Sequence, residues 1–272
     1  MLPLVTIITP VFNGANLLRY TLDSIVKQSY KNIEYIIVDG GSTDETLDIV
    51  NEYSDIVSKI ISEKDSGMYD ALAKGLLVAN GEVICYLNAG DVFYEKAIEV
   101  VANIFSDNNL SWVTGYRSTC IADNIIVRID LPFRYKSNLI EKCAYGRWLP
   151  YIQQESTFWK RELIETIDLE KLRSLKLAGD YYLWYCFSHQ ATLEIVKTPL
   201  GIFRIHEGQL SENLESYWKE IKSFSSKMNL YDFVQVIIEA FFWLLDSRVR
   251  DKLFNNIWKF NLKKNLWERG SK

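Results

Sequence analysis

Over the first ninety residues apolar positions follow two alternating rhythms. Leu4–Thr9 is a nearly continuous apolar run ending at Pro10, and Leu17, Leu18, Leu22, Ile25 and Val26 then recur at helical spacing. An unbroken run of this length predicts a strand buried on both faces, and the three-to-four spacing predicts an amphipathic helix. The pair repeats with a strand at Ile33–Val38 and a helix through Leu47, Ile49, Val50 and Tyr53. Ser42 and Glu45, three residues apart, fit a capping box that would open this second helix. Ile60 and Ile61 predict a short third strand, Tyr69–Ala79 a helix stopped at Asn80-Gly81, and Val83–Leu87 a fourth strand. Strands that alternate with helices predict an α/β fold with a mostly parallel sheet flanked by helices.

The second half is less regular. It predicts a helix at Glu95–Ser106, strands at Trp112–Tyr116 and Ile125–Ile129, and a loop-rich stretch to Pro150. An aromatic helix at Asp180–Gln190 and closing strands at Leu193–Val196 and Leu200–Ile205 follow, and from Leu214 the pattern is mostly helical. Two units result: a catalytic domain over 1–212, divided into halves at 1–91 and 92–212, and a helical extension over 213–272.

Composition narrows the class. With 48% hydrophobic and 24% charged residues the 272-residue chain has enough apolar surface for a packed core, which excludes disorder. Cys85, Cys120, Cys143 and Cys186 form no C-x-x-C pair, so neither a zinc knuckle nor a disulfide framework is expected. A reducing, cytoplasmic setting follows, and the N-terminus lacks the basic region and cleavage site of a secretion signal. The longest apolar stretch, Val234–Leu245, contains Gln235 and Glu239 and is too short to span a bilayer. The net charge of −4 hides an asymmetry, because residues 246–272 carry eight Lys/Arg against three Asp/Glu. The acidic body argues against a nucleic-acid partner. The basic tail, with Trp258, Phe260, Leu262 and Trp267 among its cations, predicts either an amphipathic helix on the inner face of a membrane, through 247–272, or a helix packed on the domain or a partner.

In open parallel sheets ligands sit beyond the carboxyl ends of the strands, so the polar residues there are the first candidates. Asp39 follows the second strand and precedes Gly40-Gly41, where the backbone is free to approach a ligand closely; its carboxylate suits a base imide or, equally, the cap of the next helix. Asn88-Ala89-Gly90-Asp91 follows the fourth strand, and Asp91 suits a hard cation shared with a diphosphate, or the cap of the helix at Glu95. There is no G-x-G-x-x-G after the first strand and no P-loop lysine, which disfavours nicotinamide enzymes and P-loop ATPases.

Several segments, taken in order, resemble the family-two inverting glycosyltransferases of GT-A fold. They are Thr6-Ile7-Ile8-Thr9-Pro10-Val11-Phe12-Asn13, Gln28-Ser29-Tyr30, Ile37-Val38-Asp39-Gly40-Gly41-Ser42-Thr43-Asp44, Ser62-Glu63-Lys64-Asp65-Ser66-Gly67-Met68-Tyr69-Asp70-Ala71 and Asn88-Ala89-Gly90-Asp91. The second half adds Gln154-Glu155-Ser156-Thr157-Phe158-Trp159 and Leu177-Ala178-Gly179-Asp180-Tyr181-Tyr182-Leu183-Trp184. The resemblance implies a Rossmann-like GT-A sheet and transfer of a sugar from a UDP-sugar to a hydroxyl of a glycan or lipid-linked acceptor. It implies that Pro10, Phe12 and Asn13 border the nucleotide, that Asp39 pairs with uracil, and that Lys64 and Asp65 lie on the base or ribose side. Asn88, Ala89, Gly90 and Asp91 occupy the place of the family's acidic metal element, with Asp91 as the surviving carboxylate for Mn²⁺ or Mg²⁺.

Asp180 stands where the family carries its general base; by spacing alone it also fits a cap of the aromatic helix. His206, followed by Glu207, Gln209 and Ser211, is a candidate metal ligand or diphosphate contact on a loop that closes over the donor, whereas His189 reads as structural. Tyr145, Trp148, Tyr151, Phe158 and Trp159 gather in the half expected to face the acceptor. Two competitors stand beside this reading. A sugar nucleotidyltransferase lacks its Arg/Lys-bearing triphosphate loop here, and a catalytically silent nucleotide-sugar-binding subunit draws support from the neutral Asn88.

Overall fold

The computed structural model describes residues 2–106, 109–121, 125–132, 134–207, 209, 213–253 and 257–270. The predicted first half is present in order: β1 (Val5–Val11), α1 (Ala15–Val26), β2 (Ile33–Asp39), α2 (Thr46–Glu52), β3 (Lys59–Ser62), α3 (Met68–Val78) and β4 (Val83–Tyr86). β1 pairs in parallel with both β2 and β4, and β2 with β3. Every residue of β1 is buried, which is why its sequence runs without polar alternation. Gly75 of α3 lets the helix lie directly on this sheet, since a Cβ there would come within 2.6 Å of Ile8.

The second half extends the same sheet. β5 (Val92–Phe93), α4 (Ala97–Ile104), β6 (Trp112–Cys120), β7 (Ile126–Asp130), α5 (Ser137–Glu141) and β8 (Thr157–Lys160) are followed by α6 (Leu169–Ser174), α7 (Gly179–Ser188), β9 (Glu194–Pro199) and β10 (Gly201–Arg204). Among the described residues the sheet runs β12-β11-β9-β6-β8-β4-β1-β2-β3, with β10 beside β5 and β6. β8, which the sequence reading left out, enters antiparallel between β4 and β6 and joins the two halves. Its Phe158 and Trp159 are fully buried, as is Tyr145, while Trp148 and Tyr151 of the same predicted group are exposed. Three of those five aromatics therefore build the core.

Two local expectations are corrected. The helix α2 is not opened by a Ser42–Glu45 box: the Ser42 hydroxyl accepts from the Asn13 N–H across the loop (2.8 Å). Asp44 takes the capping role instead, its Oδ1 accepting from the Thr46 N–H at 3.1 Å. The segment 247–272 is not one amphipathic helix. After α8 (Leu214–Ile221), α9 (Leu230–Leu244) and the short α10 (Ser247–Leu253), the chain forms a hairpin, β11 (Ile257–Asn261) and β12 (Leu266–Arg269). β11 joins the sheet in parallel beside β9.

The physical reason is burial of Ile257 and Trp258, which a surface helix would leave in water. The Trp258 indole N–H donates to the buried Glu194 carboxylate at 2.8 Å, and Arg269 pairs with the same carboxylate at 2.6 Å. Phe254 and Lys272, counted in that tail, lie outside the described residues. No helix among the described residues is long and apolar enough to cross a membrane. Replacing Trp258 by Ala removes a buried indole and one of the hydrogen bonds to Glu194, so urea unfolding is expected to show a loss of about 3–5 kcal/mol; an unchanged midpoint would mean the hairpin does not support the fold.

Candidate active site

The parallel register brings the loops after β1, β2, β3 and β4 to one edge. Pro10 is buried at the end of β1, and Phe12 presents an exposed ring beyond it. Asn13 sits at φ 47° and links the first two loops, its Oδ1 accepting from the Thr43 N–H at 2.8 Å. Asp39 is fully buried, and its carboxylate accepts from the N–H groups of Gly41 and Ser42 and from the Ser62 hydroxyl at 2.7 Å. Asp39 thus holds its own loop and does not cap the next helix, the alternative weighed for it in the sequence. Gly40 makes room for Asp65, whose Oδ2 would lie 2.6 Å from a Cβ at that position. Asp65 in turn accepts from the Gly67 N–H, and exposed Lys64 lies along Gly41. All six residues expected at the nucleotide come together.

The turn after β4 is clamped from α1. The Thr21 hydroxyl donates to the Asp91 carbonyl (2.8 Å) and accepts from the Gly90 N–H (2.9 Å), while Gly90 adopts φ 106°. Asp91 is 4% exposed, and its Oδ1 accepts from the Arg204 N–H of β10 at 2.8 Å. The Arg204 guanidinium lies over the Tyr20 ring and donates to the Gly90 carbonyl. The buried Glu155 carboxyl acts electrostatically on Asp91. Burial raises both, and for Asp91 the adjacent Glu155 charge adds to it. The Asn88 amide N–H reaches Gln154 at 3.3 Å, but the buried Asn88 Oδ1 has no hydrogen-bond partner.

Asp180 occupies the first turn of α7. Gly179 packs directly on the Tyr69 ring, where a Cβ would come within 2.3 Å, and the Tyr69 hydroxyl donates to the Leu177 carbonyl at 3.0 Å. Burial pushes the Asp180 carboxyl up to about 6, against the pull of the Tyr181 N–H and the Tyr217 hydroxyl, which donate to it at 2.7 and 3.3 Å. The Asp180 charge also raises the Glu155 carboxyl.

The turn before α7 is held by one carboxylate. Glu220 Oε1 accepts from the Lys176 N–H, and Oε2 from those of Leu177 and Ala178, at 2.8, 2.8 and 2.9 Å. Both Tyr217 and Glu220 belong to α8, which the sequence reading had put outside the catalytic domain.

Glu155, Arg204, Tyr217 and Glu220 were missed as site residues. Glu155 lay inside a quoted segment with no role, and only three-dimensional proximity to Asp91 gives it one. His206 lies two residues beyond Arg204; its Nδ1 is 3.0 Å from the Glu207 carbonyl, and its N–H bonds to Gln209 Oε1. Ser211, expected on the same loop, lies outside the described residues. His189 bonds through Nδ1 to the Tyr185 carbonyl at 2.7 Å, away from these groups. Among the described residues no three His, Cys, Asp or Glu side chains converge as a metal cage.

Loops that follow four parallel strands meet buried carboxyls at one edge of a mostly parallel α/β sheet, the architecture of a glycosyltransferase of GT-A fold. The model of glycosyl transferase family 2 matches residues 6–167, more than half of the chain, and the chain belongs to that family. It is 30% identical over 241 residues to an uncharacterised glycosyltransferase of Rickettsia prowazekii, covering 86% of this chain and 75% of that one. It is 32% identical over 194 residues to a PGL/p-HBAD biosynthesis glycosyltransferase of Mycobacterium tuberculosis, covering 70% and 72%.

Two solved structures share the fold. Staphylococcus aureus TarS 1–349 in complex with UDP-GlcNAc superposes with a TM-score of 0.63 at 16% identity, over 92% of this chain and 70% of that one. The mannosyltransferase PcManGT of Pyrobaculum calidifontis, in complex with GDP-Man and Mn²⁺, gives 0.55 at 19% identity, over 91% and 72%.

Glu220→Ala would leave three N–H groups without their acceptor, and a stability loss of about 1–3 kcal/mol in denaturant unfolding is expected, with Glu220→Gln recovering part of it. Equal stability of the Ala variant would show that water replaces the carboxylate at no cost.

Proposed function

We propose that this enzyme is an inverting glycosyltransferase that moves a sugar from a UDP-sugar to a hydroxyl of a glycan or lipid-linked acceptor, with Asp180 as general base. The observation that carries the reading is the setting of Asp180: in the first turn of α7 its carboxylate accepts from the Tyr217 hydroxyl, and burial raises it to about 6. A base poised just below neutral pH is ionised at working pH yet still takes a proton readily. In the transfer step Asp180 accepts the proton of the acceptor hydroxyl as its oxygen attacks the anomeric carbon. The new C–O bond forms on the face opposite the diphosphate. The bond from the anomeric carbon to the phosphate oxygen breaks, its electron pair leaving with the nucleoside diphosphate.

For the donor, the exposed Phe12 ring and the neighbouring Pro10 and Asn13 border the nucleotide. Asp39 and Asp65 read the base and ribose beside Lys64, and Asn88, Ala89 and Gly90 lie along the diphosphate. The fold shared with UDP-GlcNAc-bound TarS supports a UDP donor. The turn also suits a hard divalent cation, Mn²⁺ or Mg²⁺, which with a diphosphate needs only one or two protein carboxylates. Its donors are Asp91 and the partnerless buried Asn88 Oδ1.

His206 has its Nδ1 turned to a carbonyl that only accepts, so a neutral ring carries hydrogen on Nδ1 and keeps the Nε2 lone pair for a metal. Asp91, Asn88 and His206 would hold the cation. When bound, the cation neutralises charge on the departing diphosphate.

Calorimetric titration with UDP, GDP, CMP and dTDP, with and without Mn²⁺, is expected to show preferential UDP binding that Mn²⁺ strengthens and Asp91→Ala weakens. Binding that ignores Mn²⁺ would remove Asp91 from the donor site, and binding of no nucleotide would favour a silent subunit. Asp180→Asn is expected to keep UDP binding while transfer falls by about 10²–10⁴-fold, the range for loss of a general base. Because only the carboxylate accepts a proton, wild-type kcat/KM is expected to rise with pH through a limb near 6. A flat profile across that range would remove Asp180 from the role.

A further inference from the structure

The helix α9 is turned inside out relative to an ordinary surface helix. Its polar residues point inward: Asp232, Gln235 and Glu239 are buried, and Glu239 is fully enclosed. Glu239 accepts from Arg134 Nε and Lys136 Nζ, both at 3.0 Å, and Gln235 accepts from the Asn138 amide at 3.0 Å. The opposite face carries Leu230 (81% exposed), Tyr231 (69%), Ile237 (69%), Ile238 (45%), Phe241 (60%) and Leu244 (86%). These positions recur at the three-to-four spacing of one helical face, so the exposed surface is a continuous apolar stripe rather than scattered residues. No acidic side chain interrupts it, since both acids of the helix are buried.

Beside the start of this stripe lies a cavity of about 490 Å³ lined by Lys142, Arg147, Lys222 and Lys227 together with Trp148 and Phe233. Phe233 belongs to α9, so the cavity continues the stripe. Trp148 meets Phe233 edge to face with ring centroids 5.6 Å apart, and the Arg147 guanidinium stacks 4.4 Å from the Trp148 ring. Lys142 donates to the Ser226 hydroxyl, and among the described residues none of the four cations is within ion-pair distance of a carboxylate. Four unneutralised cations around an aromatic hollow, next to an apolar stripe, complement an anionic headgroup layer over acyl chains. A second copy fits less well, because a two-fold contact through this face would bring two such basic rims into one interface.

We infer that the outward face of α9 and the adjoining basic cavity seat this enzyme on an anionic phospholipid bilayer, the helix lying in the interface rather than crossing it. At 15 residues α9 is about 22 Å long, enough to lie in the interface but short of a span. Trp218, which also lines the cavity, follows directly on Tyr217 of α8, whose hydroxyl bonds Asp180, so one helix borders both the cavity and the candidate site. The inference itself is independent of the catalytic reading, and its test uses no substrate.

The full chain is sedimented with vesicles of phosphatidylcholine alone and of phosphatidylcholine with phosphatidylglycerol, at low and high salt. Binding to the anionic vesicles only, weakened by salt, is expected. Ile237→Asp with Phe241→Asp is expected to lower the bound fraction about tenfold or more, with an unchanged thermal melt by circular dichroism. Lys222→Ala with Lys227→Ala, at exposed positions that leave folding intact, is expected to weaken anionic binding and its salt dependence.

Lys263→Glu with Lys264→Glu in the terminal hairpin is expected to change nothing; a loss there instead would move the seat to the hairpin and overturn the inference. Failure to bind anionic vesicles, or wild-type binding by the Ile237/Phe241 variant, would also overturn it. So would a concentration-dependent dimer in light scattering that the same variant dissociates without any vesicle binding, because a second copy would then be the occupant.

Discussion

One buried hydrogen bond, from the Arg204 N–H to the Asp91 carboxylate, ties the two halves of this enzyme together at its candidate site. Asp91 ends the turn after β4, in the nucleotide half, and Arg204 ends β10, in the half that closes over it. Thr21 fixes the same turn from α1, and Arg204 returns to the Gly90 carbonyl through its guanidinium. A carboxylate taken out of water needs such donors, because its desolvation cost is otherwise larger than any packing gain at one residue. The site loops thus depend on a charged group that is itself held by the late strand. β10 is held close in turn by Gly201, where a Cβ would come within 2.0 Å of the Glu155 carbonyl.

The acidic residues of the site share one low-dielectric region, and the same burial gives them different parts. Asp39 is surrounded by N–H and O–H donors and serves its own loop. Asp91 and Glu155 are pushed up together by burial, which a positively charged ligand would offset. Asp180 is raised by burial and held down by the Tyr181 N–H and the Tyr217 hydroxyl, which leaves it near 6, the range a base needs. Assigning roles among carboxylates of one sequence therefore rests on counting the donors around each.

The C-terminal region looks like an appendage along the chain and is part of the enzyme in space. α8 supplies Tyr217 to Asp180 and the Glu220 carboxylate to the turn before α7, and β11 closes the sheet beside β9. Between them α9 satisfies its buried Glu239 with Arg134 and Lys136, which turns its apolar residues outward. The polarity of that helix is the reverse of what hydrophobicity alone would assign.

By itself the sequence determined the first half and much of the site. Continuous apolar runs at 4–9, 33–38 and 83–87 have one economical solution, a buried parallel sheet, and a parallel sheet brings residues that follow its strands to one edge. Pro10, Asn13, Asp39 and Asp91 were legible as strand-end candidates for that reason, and family likeness singled out Asp65 and Asp180. Tertiary structure alone decided the rest. β8, the four residues Thr157–Lys160, is too short for its period to tell a strand from a helix. Glu155 and Glu220 are ordinary acids until the fold sets one against Asp91 and the other under α7. The tail's Trp258 reads as an interfacial anchor along the chain, and it becomes a core residue because Glu194, 64 positions away, accepts its N–H. Periodicity reports on neighbours along the chain, whereas these groups take their roles from neighbours across it.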